Sequence, residues 1–125
     1  PVVLTGDGAF QMTAQEVSTL IRRRCPAVIV LINNDGYLVE RLLHEDGPYN
    51  DIQMWQYSRL PGVLGDGSGA VGLRVATEGE LAEAMSVAAR EKDRFVLIEA
   101  CLRKGDCSEG LSRLGESFRR AQVKK

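Results

Sequence analysis

Apolar residues along this chain fall into short continuous runs, separated by stretches in which they recur every three or four positions. The runs are Val2-Val3-Leu4-Thr5, Ala27 to Ile32, Ala70 to Ala76 and Phe95 to Cys101. Runs of this length, rich in Val, Ile and Leu, read as buried strands of a parallel sheet. Between the first two, Val17, Leu20 and Ile21 mark one face of a helix. Thr13-Ala14-Gln15-Glu16 predicts a capping box at its start, while Arg22-Arg23-Arg24 and Pro26 mark its end. A second helix begins near Tyr37 or Leu38 and stops by Gly47-Pro48, with Glu40 and His44 one turn apart on a common side. Tyr49 to Gly69 reads as a loop with a short helix around Asp51 to Tyr57, and Gly65-Asp66-Gly67 within it as a surface turn. Thr77-Glu78-Gly79-Glu80 predicts a second capping box, opening a helix that buries Leu81, Ala84, Met85 and Ala88. Ser108 caps a last helix carrying Leu111, Leu114 and Phe118, whose basic end (Arg119-Arg120, Lys124-Lys125) frays. Strands alternating with helices predict a three-layer α/β/α fold with at least four parallel strands, their order left open.

Composition narrows the class. At 125 residues the chain holds one domain at most. Its 16 basic and 17 acidic residues nearly balance, which argues against a nucleic-acid or anionic-membrane surface. No apolar run is long enough to span a bilayer, and no signal peptide is visible. Cys25, Cys101 and Cys107 are odd in number and form no C-x-x-C pair, so reduced thiols in a cytoplasmic protein are expected. His44 is the only histidine, which excludes a multi-histidine zinc site and a Ser/His/Asp triad. The chain opens at Pro1 directly on a strand, so it is expected to be a fragment of a longer polypeptide.

The candidate chemistry gathers at two strand ends. Gly6-Asp7-Gly8 follows the first run, and Asn33-Asn34-Asp35-Gly36-Tyr37 follows the second. Ligands of open parallel sheets collect beyond the carboxyl ends of strands, where Asp7 and Asn34 would both sit. The Asp7 carboxylate, the Asn34 amide oxygen and the Gly36 carbonyl form an oxygen set suited to a small hard cation such as magnesium. Main-chain N–H groups at the glycine turns and at the helix start after Gly36 would receive phosphates. A metal-bound diphosphate is the expected ligand. Asp35 is left out of the ligand set, as an alternative helix cap.

Gly-Asp-Gly, twenty-four residues (Ala9 to Ile32) and Asn-Asn resemble the cofactor motif of thiamine diphosphate enzymes. The longer pattern, Asn34-Asp35-Gly36-Tyr37-Leu38-Val39-Glu40-Arg41, His44 and Tyr49-Asn50-Asp51-Ile52-Gln53-Met54-Trp55, is similar to the 2-oxo acid decarboxylases acting on pyruvate, indolepyruvate, phenylpyruvate and branched-chain oxo acids. This resemblance implies the C-terminal diphosphate-binding domain, truncated at its N-terminus, with thiamine diphosphate and Mg2+ as cofactors. It implies metal ligation by Asp7, Asn34 and Gly36, and cofactor contacts from Gly6, Asp7, Gly8, Ala9, Phe10, Asn34, Gly36, Tyr37, Leu38 and Val39. Glu40 would be the catalytic residue, facing the thiazolium and the substrate carboxylate, its pKa raised by burial beside Val39. The implied partners are a small 2-oxo acid and the pyrimidine-binding domain of a second subunit, in a homodimer or homotetramer. Lacking that domain, the isolated chain is expected to be catalytically silent. Glu45-Asp46 departs from the Gly-Pro more usual after this histidine, so the loop into Tyr49 is expected to differ in shape.

Other readings make other demands. Acetohydroxyacid synthase-like and benzoylformate decarboxylase-like enzymes share Gly-Asp-Gly and the asparagine but generally lack Glu40 in this context. A phosphorelay receiver needs an earlier acidic cluster and a lysine at a late strand end, neither of which is present. A non-catalytic remnant has no need to keep Asp7, Asn34 and Glu40 together.

Overall fold

The computed structural model describes residues 1–67 and 69–123. Four strands, β1 (Val2–Gly6), β2 (Val28–Asn33), β3 (Ala70–Val75) and β4 (Phe95–Cys101), form one parallel sheet in the order β1-β2-β4-β3. Between β1 and β2 lie the short α1 (Asp7–Gln11) and α2 (Glu16–Arg22). Between β2 and β3 come α3 (Leu38–Leu43), a single helical turn at Pro48–Asn50, another at Tyr57–Arg59, and α4 (Leu60–Leu64). Helix α5 (Glu78–Arg90) joins β3 to β4, and α6 (Glu109–Val123) follows β4. Lys124 and Lys125, expected to fray, lie outside the described residues.

The strand order follows from the handedness of parallel crossovers. From β1 to β2 and from β2 to β3 the chain advances in one direction across the sheet, and from β3 to β4 it steps back. A right-handed crossover then places α1, α2 and α4 on one face and α5 on the other. The core divides in that way. Ile29, Leu31, Phe95 and Leu97 pack with Phe10, Val17, Ile21, Tyr57, Leu60 and Leu64, whereas Val30, Val96 and Ile98 pack with Ala84, Ala88 and Leu81. Alternate residues of β2 and β4 thus serve opposite faces, which is why both strands read as unbroken apolar runs.

Several expectations change. β1 forms, but it is not buried: Val2, Val3 and Leu4 are 59%, 46% and 72% exposed. It is the end strand of the sheet, and no described segment flanks its outer edge. The Thr13 capping box is absent, because the chain leaves α1 through successive helical turns. The Glu16 N–H donates to the Thr13 carbonyl (3.0 Å), and Gln15 before the helix is itself helical (φ −61°). A cap needs an extended residue to aim its hydroxyl. Thr77 is extended (φ −130°, ψ 158°) and makes both arms of its box, Glu80 N–H to Thr77 Oγ1 at 3.2 Å and Thr77 N–H to Glu80 Oε2 at 3.1 Å. On α5, Met85 is exposed while Val87 is half-buried, so the inward stripe is rotated from the expected one.

The helix expected at Asp51 to Tyr57 falls later, at Tyr57–Leu64. Tyr57 is drawn wholly into the core, edge-on to Phe10 (centroids 6.0 Å apart), with its hydroxyl accepting from Gln11 Nε2 at 2.7 Å. The same amide donates to the Gln53 carbonyl (2.7 Å), which ties the segment before Tyr57 to α1 in an irregular, non-helical course. Trp55 rests beside Tyr57 and stays 36% exposed. Helix α3 ends at Leu43, short of Gly47-Pro48. Gly115 of α6 sits so close to the Leu42 carbonyl of α3 that a Cβ there would lie 2.6 Å from it. Arg119 Nη1 donates to the same carbonyl at 3.2 Å. The cysteines are all free thiols, as expected.

Candidate functional site

Parallel pairing of β1 with β2 aligns Gly6 with Ile32, so the two glycine-containing segments emerge side by side at the carboxyl end of the sheet. Asp7, the first residue of α1, is completely buried. Its Oδ1 accepts the Gly8 N–H at 2.9 Å and its Oδ2 accepts the Gly36 N–H at 2.9 Å, joining the two segments through one carboxylate.

Asn34 completes the group. The end of its amide that faces inward lies 3.3 Å from Asp7 Oδ1 and 3.3 Å from the Gly36 carbonyl oxygen. Both neighbours are acceptors, so the inward atom is the NH2 nitrogen, which donates to each. Neighbouring ligands of an octahedral magnesium, each ~2.1 Å from the ion, stand about 3 Å apart. With the amide turned to put its oxygen there, the three groups would offer a spacing near that of such a cation's ligands.

The two strand-end segments need their glycines. Asp35 and Gly36 both take positive φ (65° and 111°). A Cβ on Gly36 would lie 2.4 Å from the Asn50 carbonyl oxygen and 2.9 Å from Arg41 Nη2. At Gly8 a Cβ would stand 2.6 Å from the Tyr37 ring. Gly8→Ala is therefore expected to displace Tyr37 and cost about 1–3 kcal/mol, as overpacking does; urea denaturation checks it, and unchanged stability would show that the ring moves freely.

The family pattern described as "Thiamine pyrophosphate enzyme, C-terminal TPP binding domain" matches residues 1–100. The chain belongs to this family. An alpha-keto-acid decarboxylase of Mycolicibacterium paratuberculosis is 49% identical over 102 residues, 81% of this chain and 18% of the relative. A pyruvate decarboxylase of Neurospora crassa is 47% identical over 111 residues, 88% of this chain and 19% of the relative. The solved structure of a thiamine diphosphate-dependent 4-hydroxybenzoylformate decarboxylase from Rhodococcus jostii superposes with a TM-score of 0.71 over 82% of this chain and 20% of its own, at 23% identity. That likeness bears on the fold. The chain spans about a fifth of the length of these proteins.

In this TPP-binding domain the remaining expected site residues are spread along α1 and α3. Phe10 is core, and Tyr37 and Leu38 begin the α3 segment. Several N–H groups expected to receive phosphates already have acceptors: Gly8 and Gly36 donate to Asp7, Tyr37 to the Asn50 carbonyl (3.0 Å), and Leu38 to the Gly36 carbonyl (3.0 Å). Glu40 corrects one expectation. It is not buried beside Val39: its side chain is 52% exposed, Val39 is 48% exposed, and Glu40 Oε2 lies 3.6 Å from His44 Nε2. Both sit on the outward side of α3, whose inward side is taken by Leu38 and Arg41.

Sequence reasoning missed the groups that brace the segments at the carboxyl end of the sheet. Arg41 is buried, donating from Nη1 to the Asp35 carbonyl (2.7 Å) and from Nη2 to the Asn50 carbonyl (3.0 Å) and Asp51 Oδ1 (2.6 Å). Lys104, from the segment after β4, reaches Asp51 Oδ1 (3.0 Å) and Asp35 Oδ2 (3.4 Å). Its ammonium, and then the Arg41 guanidinium, hold the Asp51 carboxyl below the usual carboxylate range. Glu99, buried in β4, accepts from Asn33 Nδ2 (2.8 Å) and the Ser58 N–H (3.0 Å), tying the end of β2 to the turn before α4. The one signal available was Arg41 three residues after Leu38, which puts a charge on the inward stripe of α3.

Proposed function

We propose that this chain is the diphosphate- and magnesium-binding segment of a longer, non-oxidative 2-oxo acid decarboxylase. The enzyme would convert an aromatic or branched-chain 2-oxo acid to an aldehyde and carbon dioxide. The observation that carries the reading is the meeting of the Asp7 carboxylate, the Asn34 amide and the Gly36 carbonyl at the carboxyl end of the sheet. Relatives named as 2-oxo acid decarboxylases, nearly half identical to this chain, support the choice of reaction.

Asp7, Asn34 and the Gly36 carbonyl would hold Mg2+, which would offset the charge of the diphosphate. Gly6, Gly8, Ala9, Phe10, Tyr37, Leu38 and Val39 would line the cofactor. Thiamine diphosphate, when bound, supplies the nucleophilic carbon and the electron sink that decarboxylation requires. The chain's own contribution is to anchor the metal and to present Glu40, whose carboxyl would deliver a proton to the reacting carbon. Exposure of Val39 and Glu40 suits a site closed by another surface, here assigned to the pyrimidine-binding domain of a second subunit in a homodimer or homotetramer. Among the described residues no helix is long and apolar enough to cross a membrane, and a cytoplasmic enzyme is the setting proposed.

The test is decarboxylation of phenylpyruvate, indolepyruvate, branched 2-oxo acids and pyruvate by the full-length protein, with and without Mg2+ and thiamine diphosphate. Aldehyde formation that needs both cofactors is expected, and the isolated chain is expected to form none. Carboligation without free aldehyde would replace this reading with a synthase-like one.

A further inference from the structure

The segment Asn34 to Tyr37 carries two of the three converging oxygens, yet its backbone is in a costly conformation. Asp35, a non-glycine residue, stands at φ 65°, followed by Gly36 at φ 111°. Left-handed residues persist where the surroundings over-determine them. On the inner side that constraint is the Asp7 carboxylate, which takes the Gly36 N–H. On the outer side it is a single guanidinium. Arg41 reaches back from α3 to the Asp35 carbonyl with one nitrogen and to the Asn50 carbonyl with another. The Asn50 carbonyl also accepts the Tyr37 N–H (3.0 Å), so Arg41 fixes the peptides on either side of Gly36. Arg41 Nη2 and the Asn50 oxygen together fill the space that a Gly36 side chain would occupy.

Resting on the metal site of the proposed function, we propose that Arg41 is a positioning residue for that site. Its planar fork holds the Asp35–Gly36 turn so that the Gly36 carbonyl stays beside Asn34 and Asp7. The role is geometric and acts against electrostatics, since a buried positive charge near a cation site repels the cation. Asp51 and Asp46 moderate that repulsion, at 2.6 Å from Nη2 and 3.5 Å from Nε. The two effects predict opposite signs. If Arg41 acted only through its charge, its removal would tighten metal binding. If it positions the carbonyl, removal weakens binding, and lysine fails to replace it because one ammonium cannot bridge two carbonyls in a fixed plane.

The experiment measures Mn2+ binding by electron paramagnetic resonance in the full-length protein with thiamine diphosphate, at a temperature where every variant is folded by circular dichroism. Arg41→Lys and Arg41→Ala are expected to bind Mn2+ about ten- to hundredfold more weakly, as when other groups that orient metal ligands are removed. Millimolar guanidinium is expected to restore part of the affinity of Arg41→Ala, and methylammonium to restore none. Lys104→Ala, which removes a positive charge from the same cluster but binds neither carbonyl, is expected to bind Mn2+ as tightly as the parent or more so. If Arg41→Ala melts too early, Arg41→Lys carries the test. Unchanged or tighter Mn2+ binding in the Arg41 variants, with a lower melting temperature alone, overturns the proposal. No Mn2+ binding by the parent protein would remove the metal-site reading itself and the inference with it.

Discussion

Asp7→Asn is expected to abolish magnesium-dependent cofactor binding and to destabilise the protein at the same time. The substitution preserves shape, so its effects isolate charge and hydrogen bonding. Each Asp7 oxygen accepts one buried N–H, from Gly8 and from Gly36. An amide supplies one oxygen and two donors, so one of those N–H groups must face another donor. A buried donor left without a partner costs about 1–3 kcal/mol. The cation loses its one anionic protein ligand. Even two unit charges ~4 Å apart at an effective dielectric of ~20 interact by about 4 kcal/mol, so loss of the carboxylate charge beside a divalent ion is expected to weaken metal binding by roughly a thousandfold or more. Calorimetric titration with Mg2+ and thiamine diphosphate checks the affinity, and urea denaturation without metal checks the stability. A chelator should bring the parent to the variant's activity without reproducing its metal-free instability. If Asp7→Asn kept the parent's affinity for Mg2+, the metal would have to sit elsewhere.

Glu40→Gln is expected to do the reverse, leaving the fold intact while decarboxylation falls by about 10²–10⁴-fold, the usual contribution of a positioned general acid. Glu40 is half-exposed and its ion-pair partner is a half-exposed histidine at 3.6 Å, so the stabilising pair it loses is worth at most ~1 kcal/mol. Steady-state kinetics beside a melting curve separates the two effects. A variant with parental turnover would move the proton transfer to a group outside this chain.

The likeness of these two carboxylates in the sequence, each beside a glycine or an aliphatic residue, concealed how differently they are placed. Burial was expected of Glu40 because Val39 precedes it, but consecutive helix residues point about 100° apart and only Leu38 and Arg41 turn inward. Asp7 reads as one metal ligand of three, and its bond to Gly36 from 29 residues away shows only when the two strand ends lie side by side. Arg41 was legible as a charge on an apolar stripe. Its targets were not, because the Asp35 and Asn50 carbonyls are backbone groups whose orientation depends on positive-φ turns.

By itself the sequence determined the four strands, the helices α2, α3, α5 and α6, the fold class and the family. Continuous apolar runs, helical periodicity and the Gly-Asp-Gly to Asn-Asn spacing are properties of near neighbours along the chain, and local sterics and binary patterning act at that range. It also determined which oxygens were available to a cation. Tertiary structure alone decided the strand order, the exposure of β1, the absence of the first capping box and the withdrawal of Tyr57 into the core. It alone turned Arg41 inward, onto the Asp35 and Asn50 carbonyls. Each of these depends on which surfaces lie against which after folding, a matter of long-range packing that no local pattern encodes.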